Sequence, residues 1–370
     1  MRLQQALDYV DELSARLQQT KASFTTKLEI SDNKATDLRE LLSESERERS
    51  RLQGELREVQ NAALRSLEKN QRAPLEDREV RQRMSKLEDR LKAWVRRYTV
   101  EDIATLETLS NEDTLGSMMT RVIIELDGYC LQEDWSELES RLPTLRKKLP
   151  FILSQAFLAK HILGRIFSCP FFFFPQEPSE PHSPSRSQLE NLYENLQHID
   201  PRGSHLWRSD LLFMLGKWEP GLSNQSESRI KLSFHELASR LAKLALHSPL
   251  QALLKPLSES KVLNRTTELQ RITLDACELA FSLWTQRVFI TCINFESEDL
   301  PVIQRLSPRI DYMTAHRLHH FDDDVDWKAL NAVILTHPII VAWGDENAEN
   351  YDQYKVWSKA VVCVEEEPCK

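Results

Sequence analysis

Glycine is scarce in this chain, with eight residues among 370. That scarcity disfavours turn-rich β folds, and neither glycine fingerprint of a nucleotide-binding loop occurs. The six cysteines, Cys130, Cys169, Cys277, Cys292, Cys363 and Cys369, are scattered without a Cys-x-x-Cys pair. They do not form the dense framework of a small secreted domain and read as reduced thiols of an intracellular, by default cytoplasmic, protein. Residues 1–17 alternate charged and apolar side chains and lack the apolar centre of a secretory signal. The longest apolar-rich stretch, 151–174, is interrupted by Lys160, His161, Arg165 and Pro170 and is a poor bilayer span.

A basic excess is also missing. The formal charge is -9; residues 1–73 carry 13 Lys+Arg against 13 Asp+Glu, residues 74–97 carry 8 against 5, and residues 98–370 carry 27 against 39. Nucleic-acid affinity comes largely from neutralising phosphates, so DNA and RNA are not expected partners.

What is present is a heptad line. Leu3, Val10, Leu17, Phe24, Ser31, Leu38, Ser45, Leu52, Val59, Ser66, Ala73, Val80, Leu87 and Trp94 recur every seven residues, and three serines are the only polar breaks. The companion seam is Ala6, Leu13, Thr20 and Leu41, with Lys27 and Lys34 in its middle. It moves to Leu42, Leu56, Ala63, Met84 and Leu91 further on. The change near residue 42 is a stutter, and Pro74 breaks the helix. Residues 1–97 are therefore expected to form a coiled-coil segment that associates with itself or with another coiled-coil protein. A solvated amphipathic arm is the plainer alternative.

Residues 98–370 are expected to form a mostly helical globular domain. Thr99 and Asp102 resemble a capping box, and helices are expected over 115–131, 135–142, 151–167, 187–198, 204–218, 230–246 and 266–289. The stretch 290–326 reads as irregular. Four consecutive phenylalanines, 171–174, are costly to expose, and the Pro/Ser-rich segment 175–186 reads as a loop. Runs rich in Val and Ile at 332–343 and 355–364 flank a polar segment and suggest a small C-terminal β-hairpin. The fold class is mainly α.

Trp94-Val95-Arg96-Arg97-Tyr98, the aromatic run after Pro170, and His337-Pro338 through Gly344 to Glu349-Asn350-Tyr351-Asp352, with Lys359-Ala360-Val361-Val362 beyond, resemble an uncharacterised filamentous-fungal family. Its members join a coiled-coil leader to a helical domain. The resemblance covers roughly the last three quarters of the chain. It implies a shared domain and carries no activity, cofactor or catalytic residue; Ala348 stands where a second glycine is expected.

Three constellations invite chemistry. Asp322, Asp323, Asp324 and Asp326 contain Asp-Asp-x-x-Asp, similar to the magnesium-diphosphate ligands of terpene synthases and prenyl-chain synthases. The run starts 49 residues from the end and lacks a partner motif, so a solvated acidic turn is expected instead of a metal-dependent helical enzyme. His316, His319 and His320 have helical spacing but no His-Glu-x-x-His frame, which favours a structural pair over a metal site. Residues 344–352 place oxygen ligands at alternating positions yet lack the spacing of an EF-hand, and read as a hairpin turn. The helix over 151–167 carries few basic residues, so core packing is expected over attachment to a membrane surface. No catalytic, cofactor-binding or metal-binding residue is assigned, and the expected role is non-enzymatic association.

Overall fold

The computed structural model describes residues 2–71, 74–109, 112–177, 184–217, 225–297, 312–319 and 330–365. The chain divides after Ala73 into two compact units, Met1–Ala73 and Pro74–Lys370. The first holds one helix, α1 (Arg2–Gln71). Pro74, with no N–H to continue a helical ladder, lies between α1 and α2 (Asp77–Tyr98).

The expected boundary after residue 97 differs from this division, because the last heptads of the apolar line belong to α2. There Val80, Met84, Leu87, Leu91 and Trp94 are at most 6% exposed, and the Trp94 indole donates to the Arg265 carbonyl at 3.0 Å. The helix packs on α6 (Leu149–Leu158), α11 (Glu259–Trp284) and strand β5 (Tyr354–Ser358). In this stretch the heptad spacing marks the core face of a globular helix.

The remaining helices are α3 (Ile103–Leu109), α4 (Glu112–Ile124), α5 (Trp135–Arg141), α7 (Arg165–Phe167), α8 (Arg186–Ile199), α9 (Pro201–Lys217) and α10 (Gln225–Leu246). Thr99 does not cap α3: it is the C-cap of α2 and pairs with Leu254, while the Asp102 carboxylate accepts from the Ala104 N–H at 3.0 Å. The expected helix 115–131 stops at Ile124, and the chain turns at Gly128 (φ 74°), so that Cys130 can bridge to Ile334. Ser185 caps α8 in a capping box with Gln188.

Helix α6 is the centre of the core. Leu149–Leu158 is buried except at Phe151, and a π-helical segment, Ala159–Gly164, joins it to α7. The four phenylalanines tie neighbouring helices together. Phe171 meets Tyr193 of α8 and Trp207 of α9 edge-on at 6.0 Å; Phe172 stacks on Phe234 of α10 at 5.9 Å; Phe173 meets Phe281 of α11 at 5.5 Å. Burying these rings satisfies the expectation that they cannot stay in water.

The strands are β1 (Phe289–Ile293), β2 (Met313–Ala315), β3 (Ala332–His337), β4 (Ile339–Trp343), β5 and β6 (Ala360–Val364). They form two three-stranded sheets, ordered β1-β4-β5 and β2-β6-β3. The expected hairpin is there, bent once: β4 pairs with β5 and β3 with β6, all antiparallel, and the arms change sheets at Pro338 and Lys359. Two strands lie where none is expected. Helix α11 ends at Trp284, so Phe289 opens β1 instead of closing a helix, and β2 joins β6 in parallel. Every residue of β3 and all of β4 except Trp343 are buried, which explains runs that are mostly apolar and do not alternate, with Thr336 and His337 the polar residues of β3.

Candidate functional site

Among the described residues, helix α1 presents ten large apolar side chains to solvent: Leu13, Leu17, Phe24, Leu28, Leu38, Leu41, Leu42, Leu52, Leu56 and Val59. Leu17, Leu38 and Val59, all on the heptad line, are 66–70% exposed. The helix has little else to hold it. Arg51 pairs with Glu48 at 2.7 Å and Glu55 at 3.4 Å, contacts worth a few tenths of a kcal/mol each. Thr20, Thr25, Thr26 and Ser50 donate back to carbonyls four residues earlier, which slightly weakens a helix. Leu17, Leu38 and Val59 keep the seven-residue spacing expected of a helix-pairing seam on this helix of 70 residues.

The histidine candidates are committed elsewhere. His316 is 1% exposed; its Nε2 donates to the Gln155 side-chain oxygen at 2.9 Å, and its Nδ1 faces the Leu318 N–H at 3.4 Å. Those partners fix the neutral tautomer. Burial, with the cations Lys92 and Arg317 nearby, pushes its pKa down to about 3. His319 Nε2 accepts from the Val364 N–H at 3.1 Å. His320 and the run Asp322, Asp323, Asp324 and Asp326 lie outside the described residues. Among the described residues, no three His, Cys, Asp or Glu side chains gather as metal ligands would.

The polar turn 344–352 uses its acid for itself. The Asp345 carboxylate accepts from the Asn347 N–H at 2.8 Å, the Glu349 N–H at 3.1 Å and the Asn350 side-chain amide at 2.7 Å. Ala348 sits at φ 60° and is fully buried, so it holds a left-handed conformation that glycine adopts more readily. The thiols are equally settled. Burial pushes Cys130, Cys169, Cys277 and Cys292 up to about 12, which keeps them protonated and poorly nucleophilic; Cys369 lies outside the described residues.

The described structure also contains a cleft that sequence periodicity did not single out, about 710 Å³ in volume, between α2, β5 and the segment at the end of β2. No described helix is long and apolar enough to cross a membrane. No family model, curated protein or solved structure matches the chain.

Proposed function

We propose that this is a non-enzymatic intracellular association protein in which α1 pairs with a second copy of itself and the helical unit is the cargo-bearing or contact-making part. The observation that carries the proposal is the set of ten exposed apolar side chains on α1. Withdrawing each from water is worth about 1–2 kcal/mol, on the order of 10–20 kcal/mol per copy. Association costs about 4–15 kcal/mol, so the seam can support a stable pair. A second copy suits the charge as well, since residues 1–73 carry 13 Lys+Arg and 13 Asp+Glu and do not repel their like.

Light scattering coupled to size exclusion tests this on the full chain. The expected result is a dimer or higher oligomer at micromolar concentration, reduced to monomer by Leu17→Glu with Leu38→Glu and Leu52→Glu. Residues 74–370, which hold their own core, are expected to be monomeric. A monomeric full chain defeats the proposal.

A further inference from the structure

We propose that the cleft between α2, β5 and the end of β2 binds a small polyanion carrying two or more phosphate groups. Helix α2 builds one wall. Arg81, Ser85, Glu88 and Lys92 follow one another at spacings of three and four, so they share a face adjoining the buried stripe of Val80, Met84, Leu87 and Leu91. Lys355 and Lys359 come from the opposite wall, and Arg317 from the turn after β2. Five cations thus face one carboxylate, in a chain whose net charge is -9.

Two of the five are already paired, Lys92 with Glu88 and Lys355 with Asp77 at 2.8 Å. Arg317 and Lys359 are exposed and make no hydrogen bond or ion pair among the described residues. Arg81 spends only its Nε, donating to the Val356 carbonyl at 3.2 Å. Among the described residues, the surplus charge therefore converges on the cleft without a protein acid to neutralise it, and low-dielectric walls concentrate such a field.

The groove continues. A recess of about 410 Å³ shares Arg317 and adds Arg96, the next α2 residue on the same face, and Lys148, together with Glu101, whose carboxylate pairs with Lys255 at 3.1 Å. Thr99, 2% exposed, lines this recess, and its hydroxyl has no hydrogen-bond partner in the described structure. From Arg81 to Arg96 the helix rises about 22 Å, room for phosphates at more than one cation.

The class of ligand follows from size and donors. A volume of about 710 Å³ lies within the range of small-molecule sites and is too small for a nucleic-acid duplex. Arginine forks and the hydroxyls of Ser85 and Ser358 match the many acceptor oxygens of phosphate. An acidic peptide would use the free edge of β5, but the Val356 carbonyl there is already taken by Arg81.

Isothermal titration of the full-length protein with tripolyphosphate, pyrophosphate, inorganic phosphate and an octaglutamate peptide tests the proposal. Affinity is expected to rise from phosphate to tripolyphosphate, and Arg317→Ser with Lys359→Ser is expected to weaken tripolyphosphate binding roughly tenfold or more. Both side chains are exposed, so the melting temperature should hold; Lys359→Glu alone provides an independent variant, and Arg240→Ser on α10 should change nothing. The proposal is overturned by no tripolyphosphate binding below about 1 mM, by wild-type affinity in the cleft variants, or by tighter binding of the peptide than of tripolyphosphate.

Discussion

Replacing Arg208 with methionine tests whether a buried cation is holding the helical layer to the sheets. The side chain is fully buried on α9 and has no acidic partner in its hydrogen bonds. Its guanidinium donates instead to three carbonyls: Trp284 at 2.5 Å, Gln286 at 2.9 Å and Val288 at 2.8 Å, and it lies 5.2 Å from the Trp284 ring centre. Those carbonyls belong to the last residue of α11 and the turn into β1, where a helix leaves acceptors unsatisfied and a positive charge is favoured. Arg208→Met keeps most of the volume and strands all three acceptors, at about 1–2 kcal/mol each. It also removes the cost of burying a charge, which opposes the loss. Because the Trp284 and Val288 acceptors remain buried whichever residue stands there, the loss should win by about 3 kcal/mol, lowering Tm by roughly 5 °C for a unit of this size. Thermal unfolding followed by circular dichroism measures it. A Tm within about 2 °C of wild type, or above it, would refute the reasoning by showing that desolvation cancels the three hydrogen bonds.

Acid should unfold the helical unit earlier than surface carboxylates alone would. His161 and His205 are pushed down to about 4 and His316 to about 3, with burial first among the causes. Folded pKa values below the unfolded 6.5 mean that the unfolded chain binds more protons, so stability is complete above about pH 6.5 and is lost as pH falls toward the folded values. At pH 5 the loss is about 2 kcal/mol for each of these three, His337 is lowered by burial as well, and His316→Gln should flatten the Tm-against-pH curve by about a quarter; a flat wild-type curve between pH 7 and 5 would contradict this. Gly344→Ala should cost about 2–4 kcal/mol in urea unfolding, since φ is 78° and the new Cβ would stand 2.7 Å from the Tyr351 ring. That ring cannot swing clear cheaply, because its hydroxyl donates to the Arg287 carbonyl at 2.8 Å. An undiminished midpoint would show that the turn relaxes.

Much of the helical architecture was legible because apolar spacing and punctuation agree. Expected and observed helices overlap at 187–198 with Arg186–Ile199, at 204–218 with Pro201–Lys217 and at 230–246 with Gln225–Leu246. The strands at the C-terminus were legible for the opposite reason: β3 and β4 are mostly apolar without helical spacing and are buried throughout, apart from half-exposed Trp343. What escaped is short and set by distant partners. Phe289–Ile293 follows α11 without a strong breaker, and only pairing with β4, some 50 residues on, makes it a strand. Met313–Ala315 has three residues and no pattern of its own; it exists because β6 offers a parallel edge.

The same limit applies to the two proposed binding surfaces. One seven-residue line runs from Leu3 to Trp94, yet α1 holds Leu17, Leu38 and Val59 of that line in solvent and α2 buries its part against α6, α11 and β5. Period identifies a face of a helix and is silent about what covers it. The cleft is harder still to read from sequence. Its α2 wall leaves a trace in the basic surplus of residues 74–97, 8 Lys+Arg against 5 Asp+Glu, but Arg317, Lys355 and Lys359 sit in a region with 27 basic and 39 acidic residues. Any count by segment reads that region as acidic. The cations converge only because β2 joins β6 in parallel while β5 continues the other sheet beside α2, which places residues more than 200 positions apart around one volume. Local charge in this protein is therefore a property of strand pairing, and a substitution that disturbs the β2–β6 register should abolish anion binding even where every cation is retained.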